Sequence, residues 1–284
     1  MRPTRFTAAV LLLAASVAAC SKRDETSKMQ PAPDLAAAKP IATSGESVAL
    51  PAVDGSPTIT PANLPQPMTF ADGKAAYDGR KYQDATAIFE RYTGRNPKNA
   101  WGQYMLGMSA WKSGDLSKAE GAFETALSID PGHTKSSINL SRVLIEQKRY
   151  DDAVSKLTPL AETEAASSDV FRLLGRAYSA QGKSEEAMNA YRQAIESNEL
   201  DAWSMNNLGL LLLEQQRAEE ALPLFEKAAE LRKEVAAFHN NRGMALEHVG
   251  RFGDAVTAYS DALSADPGYS KAKQNLTRVE AINR

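Results

Sequence analysis

The chain has 284 residues, of which 43% are hydrophobic, a share that suits a folded protein of one large or two ordinary domains. Its formal net charge at pH 7 is −2, so the composition gives no reason to expect nucleic acid as a partner. The single cysteine excludes a disulfide bond within the chain.

The first twenty residues have the pattern of a targeting segment. Arg2 and Arg5 form a basic region, and residues 6–19 are apolar or small, a stretch too short to span a membrane. The sequence Val-Ala-Ala-Cys that ends at Cys20 resembles the lipobox of bacterial lipoproteins. The resemblance implies that residues 1–19 are a signal peptide and that the thiol of Cys20 is diacylated. The alternative is an ordinary signal peptide with an accidental cysteine.

The residues after Cys20 predict where the protein lies in the cell envelope. Among Gram-negative lipoproteins, a serine such as Ser21 implies export to the outer membrane, facing the periplasm. Eight of the fourteen prolines fall between Pro31 and Pro67. A segment of this composition cannot bury enough apolar surface to offset its ordering entropy, so residues 20–65 are predicted to be a flexible linker.

From about residue 66 the sequence repeats with a period of 34 residues. An alanine recurs at this interval, at Ala85, Ala119, Ala153, Ala187, Ala221 and Ala255. Twelve residues before it lies a small residue, at Gly73, Gly107, Ser141, Gly175, Gly209 and Gly243. Four residues after it lies a large apolar residue, at Phe89, Phe123, Leu157, Tyr191, Phe225 and Tyr259. Small residues suit the crossing of two packed helices, and the large residues fill the gap to the next pair.

This pattern resembles the tetratricopeptide repeat (TPR) family. The resemblance implies an all-α fold, a right-handed α-solenoid of six helix pairs with a C-terminal capping helix. The predicted units span residues 66–99, 100–133, 134–167, 168–201, 202–235 and 236–269, and residues 270–284 form the cap. Pro159 lies inside the second helix of unit three, where a kink or a shortened helix is expected.

In the TPR family the first helix of each pair lines a concave inner wall. One inward place in this helix holds Asn139, Asn207, Asn241 and, in the cap, Asn275. Asparagine is a mediocre helix former, so its recurrence needs a reason. A carboxamide can pair with both sides of an extended peptide bond, which favours these four as peptide-binding residues. The alternative is that they bond to neighbouring helices or are simply solvated.

Two further groups lie on the predicted inner wall. Arg142, Arg172 and Arg176 could bind carboxylates of a partner, or could be paired within the chain. Glu146 and Asp169 are available for such pairing.

The second group is aromatic. Trp101, Tyr104 and Trp203 suggest a pocket for apolar side chains of a peptide. The alternative is ordinary packing between helices.

No catalytic constellation is found in the sequence. His133, His239 and His248 are not spaced as metal ligands, and no phosphate-binding glycine loop or nucleophile motif is present. The prediction is therefore a protein without enzymatic activity, cofactor or metal that binds a protein or peptide of the cell envelope. Its plan is similar to that of TPR lipoproteins that assemble pili and their secretins. An accessory subunit of a peptidoglycan or polysaccharide enzyme is the alternative, and the oligomeric state stays open.

Overall fold

A computed structural model of the chain describes residues 68–163 and 166–282, which belong to one compact unit. These residues form thirteen α-helices and no strand. The predicted signal peptide and linker, with Cys20, lie outside the described residues. The helices are α1 (Phe70–Asp78), α2 (Tyr82–Arg95), α3 (Ala100–Lys112), α4 (Leu116–Ile129), α5 (Thr134–Glu146), α6 (Tyr150–Ala161), α7 (Ser168–Ala180), α8 (Ser184–Ser197), α9 (Ala202–Glu214), α10 (Ala218–Leu231), α11 (Ala236–His248), α12 (Phe252–Ala265) and α13 (Ser270–Ile282).

The helices form a linear stack of pairs. Each helix packs against the next one along the chain, and six pairs are followed by α13. From α3 onward the odd-numbered helices begin at residues 100, 134, 168, 202, 236 and 270, an interval of 34 residues. The predicted fold class, an all-α solenoid of six helix pairs with a capping helix, is confirmed.

The odd-numbered helices form one wall of the stack. Helix α1 contacts α3, α3 contacts α5, α5 contacts α7, α9 contacts α11, and α11 contacts α13. No two even-numbered helices make comparable contacts within the described residues. The stack is therefore closer packed on its odd-numbered side, which we call the inner wall.

A small residue and a large ring interlock within each helix pair. A Cβ atom added at any of five glycines would come within 2.5–2.8 Å of a ring carbon of the same pair, closer than real Cβ atoms approach other atoms. The interlocked residues are Gly73 with Phe89, Gly107 with Phe123, Gly175 with Tyr191, Gly209 with Phe225, and Gly243 with Tyr259. The third pair has Ser141 opposite Leu157, both fully buried. The smaller leucine leaves room for the serine side chain.

The turn inside each pair has one residue with positive φ at the same place. Glycine occupies it in three turns, at Gly114, Gly182 and Gly250. The other three turns place a residue with a side chain there, at Arg80, Lys148 and Gln216. This conformation costs such a residue about 1–2 kcal/mol, but it closes the same helix-ending hydrogen bonds. In the second pair, for example, the amide of Asp115 donates to the carbonyl of Ala110 over 2.9 Å.

Pro159 lies in the last turn of α6. This helix ends at Ala161 after 12 residues, whereas the other even-numbered helices have 14. Proline has no amide hydrogen and its ring crowds the preceding turn, so it weakens the last turn of the helix, which ends two residues later. The expected shortening is confirmed.

Candidate peptide-binding wall

Five asparagines of α9, α11 and α13 form a hydrogen-bonded chain on the inner wall. The Nδ2 of Asn275 donates to the Oδ1 of Asn240 over 3.0 Å, and Asn240 donates to Asn241 over 3.3 Å. Asn241 then donates to Asn206 over 2.8 Å, and Asn206 donates to Asn207 over 3.4 Å. We call this group the asparagine chain. Its cross-helix bonds join the last two repeats to the capping helix.

Only the two ends of the asparagine chain reach the surface. Asn206, Asn240 and Asn241 are 0–5% exposed, whereas Asn207 and Asn275 are half-buried. A carboxamide has two N–H donors and two acceptor positions, so the end members keep capacity for a ligand. The hydrogen bonds between α9, α11 and α13 agree with the alternative interpretation, in which the asparagines bond to neighbouring helices. Binding of a peptide by Asn207, Asn241 and Asn275 stays a prediction.

Asn139 lies apart from this chain. Its Nδ2 donates to the carbonyl of Lys135 one turn earlier over 2.8 Å, and its Oδ1 accepts from Arg142 over 3.4 Å. The side chain is 6% exposed. Its amide is therefore used within α5, in the local bonding by which asparagine competes with the helix backbone.

Two arginines of the inner wall, Arg142 and Arg172, are paired with carboxylates. Arg142 contacts Asp169 over 3.0 Å, and Arg172 contacts both Asp169 and Asp201, the latter over 3.1 Å. Arg176 is half-buried, and burial lowers its pKa. Asp169 was the partner that the sequence left open, whereas Asp201 was not predicted.

Asp201 links the fourth repeat to the fifth. It is 3% exposed, and it accepts hydrogen bonds from the hydroxyl groups of Ser168 and Ser204 over 2.6 and 2.8 Å. Burial by itself raises the pKa of this carboxyl, but Arg172 and the two serines outweigh burial, so the pKa is lowered. Asp201 also caps α9 through the amide of Ser204. Its role here is structural.

An aromatic cluster lies where α3 and α5 begin. The Trp101 ring lies edge-on to Tyr104 at 5.4 Å and to His133 at 4.8 Å between ring centroids. The Nζ of Lys135 lies 5.1 Å from the Trp101 ring centroid. Trp101 is nevertheless 49% exposed, while Tyr104 is half-buried. Trp101 and Tyr104 are thus brought together at the surface of the wall.

Trp203 is not part of this cluster. Its ring packs edge-on against the buried ring of Phe238 at 4.9 Å between centroids. It joins a small core of α9, α10 and α11 residues that includes Met205 and Ala229. Its contacts are those of ordinary helix packing.

A shallow pocket opens between α1, α2 and α3. Its volume is about 480 Å³. Its lining residues are Phe70, Lys74, Tyr92, Asn99, Trp101 and Met105. The exposed face of Trp101 is therefore one side of an apolar cavity at the N-terminal end of the inner wall.

His133 is a site residue that the sequence did not single out. Its ring is 7% exposed beneath Trp101 and Tyr104, and its Nδ1 accepts a hydrogen bond from the amide of Ser136 at the start of α5. We expect His133→Ala to lower the free energy of unfolding by about 1 kcal/mol, because this cap is lost. His133→Asn keeps a cap and should lose less, as urea unfolding at pH 7.5 would measure. Equal losses in both variants would contradict the capping role.

The same histidine predicts a pH dependence of stability. Burial lowers the pKa of His133, Asp130 raises it, and Lys135 lowers it, with a net shift downward. The unfolded chain therefore takes up the proton first, and stability is lost as pH falls below the unfolded pKa of about 6.5. Between pH 7.5 and pH 5.5 the wild type should lose more unfolding free energy than His133→Asn. An identical loss in both proteins would contradict the assignment.

Two kinds of feature are absent from the part of the chain that the structure describes. No group of three or more His, Cys, Asp or Glu side chains in residues 68–163 and 166–282 is arranged to hold a metal ion. Within the same residues no helix is long and apolar enough to cross a bilayer.

The fold and the repeat geometry define an α-solenoid repeat protein, and comparison with family models identifies the repeat. Residues 68–208 match the model described as a tetratricopeptide repeat-like domain, and residues 206–270 match a tetratricopeptide repeat model. Together the two matches span well over half of the 284 residues. The chain belongs to the tetratricopeptide repeat family.

Known proteins share parts of this array. Human tetratricopeptide repeat protein 7B is 29% identical over 116 residues, which are 41% of this chain and 14% of that protein. The structure of PilF from Pseudomonas aeruginosa is 17% identical with a TM-score of 0.64, over 72% of this chain and 94% of that one. YrrB, described as a TPR protein with an unusual peptide-binding site, is 20% identical with a TM-score of 0.51, over 66% of this chain and 96% of that one. At these identities the structural likeness shows the fold alone.

Proposed function

We propose that this protein is a non-enzymatic scaffold that binds an extended segment of a partner protein along its inner wall. The observation that carries the proposal is the surface left on the packed odd-numbered helices. Trp101 lies half-exposed at one end, and the carboxamides of Asn207 and Asn275 lie half-buried at the other. Such a wall offers an apolar anchor and amide groups for a peptide backbone. The peptide-binding site in the description of YrrB, a protein of the same fold, supports the proposal.

The basic residues of the wall have a second role in this proposal. Arg142 and Arg172 hold the middle repeats together through Asp169 and Asp201, and a carboxylate of the partner can compete for them. An acidic group of the partner should therefore bind more weakly here than it would bind to unpaired arginines, because the existing ion pairs must first open.

We further propose that Cys20 anchors the protein to the periplasmic face of the outer membrane. The lipobox-like sequence and Ser21 support this location. Two or three acyl chains hold a protein far more firmly than one. Residues 20–65 would then separate the repeat array from the membrane and let it search for a partner.

The pathway we propose is assembly of a pilus or secretion complex. The plan of the chain, a lipobox followed by six helix pairs, supports it. The similarity to PilF adds the fold and no more, since the identity is 17%. The alternative is that the protein is an accessory subunit that recruits a peptidoglycan or polysaccharide enzyme.

Affinity capture from solubilised cell envelopes, followed by mass spectrometry, tests the proposal. The bait is the full lipidated chain. The affinity of the captured partner is then measured for the wild type and for the double variant Asn207→Ala and Asn275→Ala. Losing hydrogen bonds at both positions should weaken binding about tenfold. The matched control is Asn189→Ala on the exposed face of α8, which should bind as the wild type does. Capture of secretin or pilus subunits supports the pathway, and capture of cell-wall enzymes overturns it.

Stability must be controlled in this test. Asn275 also bonds to Asn240, so alanine there should cost about 1 kcal/mol of folding free energy. Binding is therefore compared well below the melting temperature of both variants. If the double variant is folded and captures the same partner as strongly as the wild type, the inner-wall site is wrong.

A further inference from the structure

The pocket between α1, α2 and α3 has a chemistry that the rest of the inner wall lacks. Four of its lining residues are large and apolar: Phe70, Tyr92, Trp101 and Met105. The asparagine chain and the arginine pairs, which lie on α5 to α13, are polar. An apolar side chain would be buried well at this pocket, because Trp101 is a large aromatic residue that is still 49% exposed there.

The side chains that line the pocket are also packed against other residues of the chain. Phe70 lies edge-on to Phe89 at 5.5 Å and to Tyr92 at 5.6 Å between ring centroids. Trp101 is held in the same way by Tyr104 and His133. Asn99 fixes the remaining edge, since its Nδ2 donates to the Tyr92 hydroxyl over 3.0 Å and its Oδ1 caps α3. Side chains that are already ordered lose less conformational entropy when a ligand binds, so less of the interaction energy is offset.

Three lysines lie in or near the pocket. Lys74 is part of the lining, Lys98 lies in the adjoining depression that shares Asn99, and Lys135 lies over the Trp101 ring. No aspartate or glutamate lines either depression. Lys74 is paired with Asp78, but Lys98 and Lys135 form no ion pair with the described residues. The electrostatic surroundings of the pocket therefore favour an acidic ligand.

We infer that this pocket binds an aromatic or large aliphatic side chain of an extended acidic segment, with carboxylates on either side of that side chain. The inference rests on the proposed function, because it names the kind of segment that the inner wall takes. The apolar side chain enters between Phe70, Trp101 and Met105. The flanking carboxylates face Lys98 and Lys135, and their binding does not require an existing ion pair to open.

A single-stranded nucleic acid also combines negative charge with flat rings, but the wall favours a peptide. The half-buried carboxamides of Asn207 and Asn275 further along the same wall have both donors and acceptors, which match a peptide backbone, whereas phosphate groups offer acceptors alone. The net charge of −2 points the same way.

Fluorescence anisotropy with labelled peptides and the full chain in detergent tests the inference. The probe is a short peptide with phenylalanine between glutamates, blocked at both termini. Matched peptides replace the phenylalanine by serine or the glutamates by lysines, and a single-stranded oligonucleotide is included. The acidic phenylalanine peptide should bind at least tenfold more tightly than the other three, and added salt should weaken it. Equal binding of acidic and basic peptides, no peptide binding, or preferred binding of the oligonucleotide would each overturn the inference.

Variants of the chain locate the site. Trp101→Ala should weaken the acidic peptide at least tenfold, whereas Ile282→Ala, at an exposed residue of α13, should not. The pair Lys98→Glu and Lys135→Glu should reverse the preference, so that the lysine peptide binds more tightly than the glutamate peptide. Unchanged preference in this charge-reversed chain overturns the inference even if Trp101→Ala is less stable.

The failure of this inference is distinguishable from that of the proposed function. If Trp101→Ala captures the cellular partner normally while Asn207→Ala with Asn275→Ala does not, the pocket is not the anchor and the scaffold function stands. If neither set of variants changes capture, both are overturned.

Discussion

Alanine in place of Phe225 is expected to lower the free energy of unfolding by about 3–5 kcal/mol. The ring is fully buried, and it belongs to the largest core cluster, which runs from α8 to α13 and includes Leu208 and Leu212 of α9. Its carbons would lie 2.8 Å from a Cβ on Gly209, so α9 and α10 are spaced by this ring. Alanine leaves a cavity that the two helix backbones cannot close without losing their contacts with the neighbouring pairs.

Urea unfolding of the full chain, followed by far-ultraviolet circular dichroism, measures this loss. The matched control is Leu200→Ala, since Leu200 is 66% exposed and its truncation should change stability by less than about 0.5 kcal/mol. Phe225→Leu should fall between the two. A loss below about 1 kcal/mol for Phe225→Ala would mean that this ring does not set the spacing of the pair.

Alanine in place of Gly243 is expected to destabilise the fold by about 1–3 kcal/mol, although alanine is normally the better helix former. The new Cβ would lie 2.5 Å from a ring carbon of Tyr259. The ring cannot simply move aside, because its hydroxyl donates to Glu247, which is also bound by Arg278 of the capping helix. The strain therefore spreads to α13.

Gly121 supplies the matched control for this change. It lies on the exposed side of α4, and a Cβ there would have no atom within 4 Å. Gly121→Ala should stabilise the chain by about 0.5–1 kcal/mol in the same unfolding experiment. If both alanine variants change stability in the same direction, the steric account of Gly243 is wrong.

A second variant tests whether the small and large positions are coupled. The third pair combines Ser141 with Leu157, so Gly243→Ser should be tolerated better when Tyr259→Leu is present than when it is absent. The double variant also removes the bond to Glu247, whose cost is measured by Tyr259→Leu alone. Additive losses would show that the two positions do not share space.

The repeat could be predicted from the sequence because the same packing recurs in every pair. The small residue and the large ring of each pair contact each other, and both recur at the same interval of 34 residues. Such a paired recurrence is not expected by chance. The turns inside the pairs can be predicted from the sequence only in part. Gly114 and its counterparts signal a positive φ by themselves, whereas Arg80 and Lys148 adopt it because the helices on either side require it.

The contacts of the inner wall could be predicted less well. Helical spacing placed Asn207 and Asn241 on one face, but it could not show that Asn241 bonds to Asn206 of the preceding repeat. The choice between a ligand and a neighbouring helix depends on side-chain conformations that no sequence pattern specifies. Trp203 shows the same limit, because it occupies the place of Trp101 in the repeat and packs against Phe238 instead.

The capping residues were missed although a signal existed. Asn99, His133 and Asp201 each accept a hydrogen bond from the first turn of an odd-numbered helix. They lie 34 residues apart or at twice that interval. If this place in each repeat is taken as the N-cap, the sequence predicts a structural role for Asp201. It also predicts that His133 caps α5.

The claim on which the proposed function depends is that a partner lies along the odd-numbered helices. Site-specific photocrosslinking tests it most directly, with a benzophenone amino acid at Lys135 or Asn275 of the inner wall and at Asn189 or Glu226 of the exposed even-numbered side. We expect crosslinks to one partner from both inner positions and none from the outer positions. Crosslinks to that partner from Asn189 or Glu226 alone would contradict the account.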